Sequence, residues 1–189
     1  MMKTEKQVFE TLGNVELLSQ NRAAMLASKE TPAELFEPAQ QLADSLLKLP
    51  FCAAGGWQSP LEKKLLAKIS NKNSSCNIIH YLAKNINSLK LNTRQNELLN
   101  DGRLLLISPG IQDDRPSRRQ INIRDELMFS QIDKILFLFI SPGGRLEEYF
   151  NRMISLSYQV FLLEHPLNKQ FFDSGIVLLN DENAGLLLE

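Results

Sequence analysis

The sequence predicts a doubly wound α/β architecture, with a mainly parallel sheet and helices on both of its faces. Three observations predict it. Short apolar runs alternate along the chain with stretches of helical periodicity, the pattern of strand–helix units joined by right-handed crossovers. The run Ile135 to Ile140 is uniformly apolar, and a strand without a polar face must be covered on both sides, as a central parallel strand is. Two strand-to-helix turns, Thr31-Pro32-Ala33-Glu34 and Ser59-Pro60-Leu61-Glu62, place a capping hydroxyl, a proline and a glutamate in the order that starts helices.

In chain order, Ala23 to Ala27 is the first core strand. It leads into a helix from about Pro32 to Leu47, where Leu35, Ala39, Leu42 and Leu46 share one face at a 3.6-residue period. Phe51 to Ala54 is the next strand, followed by a helix from about Pro60 to Ile69. Cys76 to Leu82, a helix across Arg94 to Leu99, and Leu104 to Ile107 continue the alternation. A polar loop with Asp113, Asp114, Arg115, Pro116, Arg118 and Arg119 precedes a helix over roughly Ile123 to Gln131, and then the central strand. Leu146, Tyr149, Phe150, Met153 and Ile154 form the stripe of a last helix, before strands at Val160 to Leu163 and Ile176 to Leu179. No repeat of fixed period interrupts this order.

At 189 residues the chain suits one buried core, so a single domain over 1–189 is expected, with 1–20 as a lead-in and 181–189 as a flexible tail. Leu188-Glu189 resembles an expression-vector scar. The formal charge of -1 gives no global attraction for phosphate, so any nucleic-acid contact must come from a local basic patch. Cys52 and Cys76 stand beside apolar runs without ligand spacing and read as buried free thiols. His80 and His165 are far apart and lack a neighbouring nucleophile, so neither a metal site nor a catalytic dyad is predicted. No run is long enough to span a bilayer and Met1 to Gln7 has no signal-peptide core, so a cytoplasmic protein without membrane contact is expected.

Turns that follow parallel strands share one edge of the sheet, where helix dipoles and exposed amides attract anions. Gly55-Gly56 precedes the second capping turn and Pro142-Gly143-Gly144 follows the central strand, so a ligand can approach the backbone at both. Lys29, Arg94, Arg124 and Arg145 lie in or next to loops at helix starts, where a cation completes an anion site; each taken alone reads more readily as a solvated surface charge. Trp57 offers a ring for stacking on a base, or a cover for the core edge. Glu147 and Glu148 are open to two readings, as acid/base carboxylates or as favourable partners of a helix dipole.

Taken together, these segments resemble the Rossmann-like core of the DNA-processing protein A (DprA/Smf) family, within the wider group that includes the LONELY GUY phosphoribohydrolases. Phe9 to Leu18, with Gly13-Asn14 and Leu17-Leu18, is similar to the family's lead-in, and Ala27-Ser28-Lys29 to its Gly-Ser-Arg turn, with lysine replacing arginine. Ala54 to Leu61 resembles the family's Ser-Gly-x-Ala-x-Gly-Ile-Asp turn, with Leu61 at the aspartate position. Asn92 to Leu99, Leu104 to Ser108, Arg124 to Met128, Gly143 to Leu146 and Val160 to Leu167 follow the family's order and spacing. The resemblance implies a protein that binds single-stranded DNA through phosphate contacts in DNA processing and recombination. It also implies a homodimer and a recombinase such as RecA as partner. Implied ligand residues are Ser28, Lys29, Gly55, Gly56, Trp57, Arg94, Arg124, Gly143, Gly144 and Arg145, with no catalytic residue, metal or cofactor. Phe171-Phe172 and Ile176 to Leu179 serve either as the dimer contact or to close the monomer's own sheet.

The alternatives are a nucleotide sensor and a nucleoside monophosphate phosphoribohydrolase. Arg124 with Met128, and Pro142-Gly143-Gly144 with Glu147-Glu148, are similar to the phosphoribohydrolase motifs. The Gly-Thr pair that should follow Gly144 is missing. Positioning of a ribose monophosphate depends on that turn.

Overall fold

The computed structural model describes residues 9–172 and 175–189; Met1 to Gln7, read above as lacking a signal-peptide core, lies outside the described residues. Eight strands form one sheet: β1 (Glu10–Gly13), β2 (Arg22–Ala27), β3 (Cys52–Gly55), β4 (Asn77–Tyr81), β5 (Leu104–Ser108), β6 (Lys134–Phe139), β7 (Gln159–Leu163) and β8 (Ile176–Leu179). Their spatial order is β1-β5-β4-β3-β2-β6-β7-β8. Only β1 is antiparallel to its neighbour; every other pair is parallel.

Among the described residues five α-helices connect the strands: α1 (Phe36–Leu46), α2 (Pro60–Ile69), α3 (Thr93–Asn100), α4 (Arg118–Gln131) and α5 (Arg145–Ser155). The apolar residues of α1, α2 and α3 pack on one face of the sheet, and those of α4 and α5 on the other. Strand β6 lies between β2 and β7 and is buried along its whole length. Leu136 and Leu138 point into the first layer, while Ile135 and Phe137 point into the second. This two-sided burial explains the uniformly apolar run.

Local chemistry sets the helix starts that shape the site. The Ser59 hydroxyl accepts a hydrogen bond from the Glu62 amide at 3.2 Å, and the Glu62 carboxylate accepts one from the Ser59 amide at 3.1 Å. This reciprocal pair is a capping box. The Thr31 turn behaves differently and corrects the expectation from sequence. Its hydroxyl donates back to the Ser28 carbonyl and accepts no helix amide; a short 3-10 helix at Ala33–Leu35 with Pro32 as its N-cap follows, and α1 begins only at Phe36. Helix α4 begins at Arg118, well before Ile123, because Ser117 and Gln120 form a capping box that the sequence reading overlooked.

The two ends also differ from expectation. Glu10–Gly13, read as part of a lead-in, pairs along β5 as an outer strand. Residues expected as a flexible tail include a 3-10 helix, Ala184–Leu188, whose Ala184 and Leu187 are buried against the α1 side of the sheet. Burial of those apolar groups repays ordering of the backbone.

Candidate functional site

From β2 the chain steps outward through β3, β4 and β5, and then crosses over α4 to return at β6 on the other side of β2. The connections leaving β2 and β6 therefore diverge. Their separation opens a crevice at the carboxyl ends of these strands, the general ligand position in open α/β sheets. Here it is a cavity of about 450 Å³.

Its floor is a clamp between two turns. The Ser28 amide donates to the Phe139 carbonyl at 3.0 Å, and the Ser28 hydroxyl accepts from the Ser141 amide at 2.8 Å. These bonds fix the β2 and β6 exits together just beyond the last paired residues. The ladder is irregular between Leu26 and Ala27, and the Ala27 amide donates to the Glu62 carboxylate at 2.9 Å. Glu62 also accepts from the amides of Gln58 and Ser59, at 2.6 and 3.1 Å. Burial pushes its pKa up while these bonds and the Arg124 charge oppose the shift. Its oxygens are thus occupied with backbone amides.

On the α4 side, Arg124 and Asp125 are almost completely buried, with an Nε–Oδ1 distance of 2.6 Å. Space for this guanidinium exists because residue 56 is glycine: a Cβ there would fall within the Arg124 side chain. Arg124 also donates to the Tyr81 carbonyl at 3.4 Å. The second oxygen of Asp125 lies 3.5 Å from Arg145 and accepts from the Tyr149 hydroxyl at 3.3 Å. Burial raises the Asp125 pKa against the opposing charges of Arg124 and Arg145, and burial beside Asp125 pushes the Tyr149 phenol up to about 12. Arg145 lies over the Tyr149 ring, 5.6 Å from its centroid, and keeps its head partly in solvent.

At the mouth stand Lys29, which is exposed, and the first turn of α5. Gly144 is the N-cap and provides no side-chain hydrogen bond; Gly144, Arg145 and Leu146 line the crevice at the positive end of the α5 dipole. A Cβ on Gly144 would press on the Ser141 carbonyl at 2.9 Å, which makes glycine the fitting residue at this tight turn.

Of the residues expected to hold a ligand, Ser28, Lys29, Gly56, Arg124, Gly144 and Arg145 line this one cavity. The others stand apart. Gly55 is buried inside β3, where a side chain would meet the Trp57 ring and the Met25 carbonyl. Gly143 is exposed on the outer side of its turn, and its amide donates to Glu147. Arg94 lies away from the crevice, where it donates to the Ser70 carbonyl past the end of α2 and pairs with Glu97. Trp57 is only 3% exposed and belongs to the core. It adopts φ 51°, an uncommon left-handed conformation for a bulky residue. The ring is accordingly packed within the fold and is not an open stacking platform. Glu147 and Glu148 are absent from the cavity wall and stand in the first turn of α5, where a carboxylate is favourable with the helix dipole.

Sequence reasoning missed Glu62, Asp125, Ser141 and Tyr149 as wall residues. Glu62 was visible as a capping residue, and its spacing from Ser59 was the available signal. Asp125 and Tyr149 gave no comparable signal, because their meeting depends on how α4 and α5 pack.

No model of a protein family matches the sequence, and no curated protein matches it. Solved structures do match in three dimensions. DNA processing protein A from Streptococcus pneumoniae superposes with a TM-score of 0.75 at 12% identity, over 94% of this chain and 65% of that one. This chain thus spans about two thirds of that protein's length. DNA processing protein A from Helicobacter pylori, whose structure concerns its single-stranded DNA binding mode, gives 0.74 at 14% identity, over 99% of this chain and 89% of that one. The molybdenum cofactor carrier protein of Chlamydomonas reinhardtii gives 0.56 at 13% identity, over 87% of this chain and 93% of that one. The chain has the Rossmann-like fold seen in the DNA processing protein A structures.

Proposed function

We propose that the switch-point cavity binds a phosphate of single-stranded DNA and performs no bond-breaking chemistry on it. The observation that carries this reading is the composition of one wall: Lys29, Arg145 and the first turn of α5 converge on a crevice of about 450 Å³ at the carboxyl ends of β2 and β6. That volume suits a nucleotide-sized group. The two buried carboxylates of the wall are committed elsewhere, Glu62 to backbone amides and Asp125 to two arginines and a tyrosine. Neither buried carboxylate is free to exchange a proton with a glycosidic oxygen or an attacking water, which counts against a catalytic role for these two; the third wall carboxylate, Glu30, is exposed at the mouth. The fold shared with a single-stranded DNA binder from Helicobacter pylori points in the same direction.

Fluorescence anisotropy with labelled oligothymidylate tests the proposal. Affinity is expected to fall with salt, and Lys29→Ala should reduce the slope of log affinity against log salt by about 0.7, the value of one phosphate contact. Release of free base from a nucleoside monophosphate would favour the hydrolase. Tight mononucleotide binding without turnover, and no oligonucleotide binding, would favour the sensor.

The same reading places the protein in the cytoplasm, as a single-domain homodimer acting in DNA recombination beside a recombinase such as RecA. No helix among the described residues is long and apolar enough to cross a membrane. Phe171 and Leu179 are buried in the monomer's own core, whereas Phe172 and Val177 are exposed on and beside the outermost strand β8. An outer strand with an exposed apolar side chain is suited to pairing with a second copy. Sedimentation at micromolar concentration should give the dimer mass, and a Val177→Lys variant the monomer mass; wild-type protein sedimenting only as monomer removes the dimer.

A further inference from the structure

Beside the switch-point cavity lies a second one of about 410 Å³, over the carboxyl ends of β3, β4 and β5. Gly56 and Gln58 belong to the walls of both, so the two are adjoining parts of one edge. Their electrostatics differ. The switch-point cavity balances Lys29, Arg124 and Arg145 against Glu30, Glu62 and Asp125. The second cavity is walled by Lys63, Lys84 and Lys90, and among the described residues its wall has no carboxylate. None of these lysines makes an ion pair with a described residue. Lys63 and Lys90 are exposed and Lys84 is half-buried.

In a chain of formal charge -1, three unpaired ammonium groups around one concavity create a local positive field against the global trend. Their mutual repulsion is relieved by an anion. Lysine is a compact, mobile point charge and not a planar fork, so the site is suited to a ligand whose phosphate positions vary, as in a flexible strand. His80 also lines the wall. Burial and the Arg124 charge lower its pKa to about 4, so at neutral pH it presents an uncharged ring without adding to the field.

We propose that this lysine-walled cavity is a second phosphate subsite, continuous with the switch-point cavity across Gly56 and Gln58, and that the ligand is therefore a phosphodiester chain spanning both. The inference rests on the switch-point cavity being a phosphate site, and it specifies the ligand as an oligonucleotide rather than a mononucleotide. The strand would place one phosphate at Lys29 and the α5 turn, and a further one among Lys63, Lys84 and Lys90.

The test compares thymidine monophosphate with a short oligothymidylate on the wild type, a Lys84→Ala/Lys90→Ala variant and Lys29→Ala. For the double variant, oligonucleotide affinity should fall about tenfold or more and the salt slope by about 0.7, the value of the one phosphate held there. Monophosphate affinity should stay within about twofold, since one phosphate is held at the first cavity. Unchanged oligonucleotide affinity and slope in the double variant, with Lys29→Ala still weakening binding, would overturn the second subsite and leave the first standing. Equal losses for both ligands would overturn it as well, by showing that the lysines serve the first cavity. Absence of binding by either ligand to the wild type would overturn both readings.

Discussion

Phe137→Ala is expected to lower the unfolding free energy by about 3–5 kcal/mol, the cost of removing a large aromatic from a close-packed core. Phe137 is fully buried at the centre of β6. Its ring meets Phe150 of α5 edge-on, with centroids 5.5 Å apart, and Phe150 meets Phe171 at 5.4 Å. Removing Phe137 therefore loses transfer energy and one aromatic pair, and leaves a void between the sheet and α5 that rigid neighbours fill only in part. Equilibrium denaturation in urea measures the effect. A loss below about 1 kcal/mol would mean the side chain contributes little to packing, against the two-layer arrangement described here.

Arg124→Ala should be of similar size, about 3–5 kcal/mol, for an electrostatic reason. The pair with Asp125 is only 4% and 5% exposed, so deleting the guanidinium leaves a buried carboxylate whose remaining cation, Arg145, is 3.5 Å away and partly in solvent. Pairing an uncharged group with the deletion should relieve most of that cost, so Arg124→Ala/Asp125→Asn is expected to be more stable than Arg124→Ala alone. Urea midpoints of the wild type and the variants decide it. A double variant no better than the single one would show that the loss comes from packing over Gly56 and not from an unpaired charge.

What was legible in the sequence follows from the range over which each signal acts. The strands and helices of the doubly wound core were readable because their apolar periodicity is local and strong: β6 has no polar residue after Lys134, and α2 opens on a complete capping signal. β1 escaped because three of its four residues are exposed, so no alternation marks it. The Thr31 turn misled because Pro32, not Thr31, stands at the N-cap of the short 3-10 turn that follows, and α1 starts later from Leu35.

The site was legible in part for the same reason. Sequence could place Lys29, Gly56 and Arg145 in turns or at a helix start of one sheet edge; Arg124, read as adjoining a helix start, lies inside α4, which begins at Arg118. Sequence could not show that Gly56 is the space into which Arg124 inserts, nor that Asp125 and Tyr149 meet across two helices. For Trp57 the sequence left stacking platform and core cover both open, and the structure gives the second, with the ring 3% exposed. The lysines of the second cavity come from α2 and from the segment after β4, and no linear motif joins them.

The most direct test of the central claim is a crystal structure of the protein with a short oligothymidylate. The account predicts a backbone phosphate in the switch-point cavity, its oxygens within hydrogen-bond distance of Lys29 Nζ and the first-turn amides of α5, with the bases left chemically intact. A strand bound at the opposite end of the sheet, around Arg22 and Asp133, with this cavity left unoccupied, would contradict it.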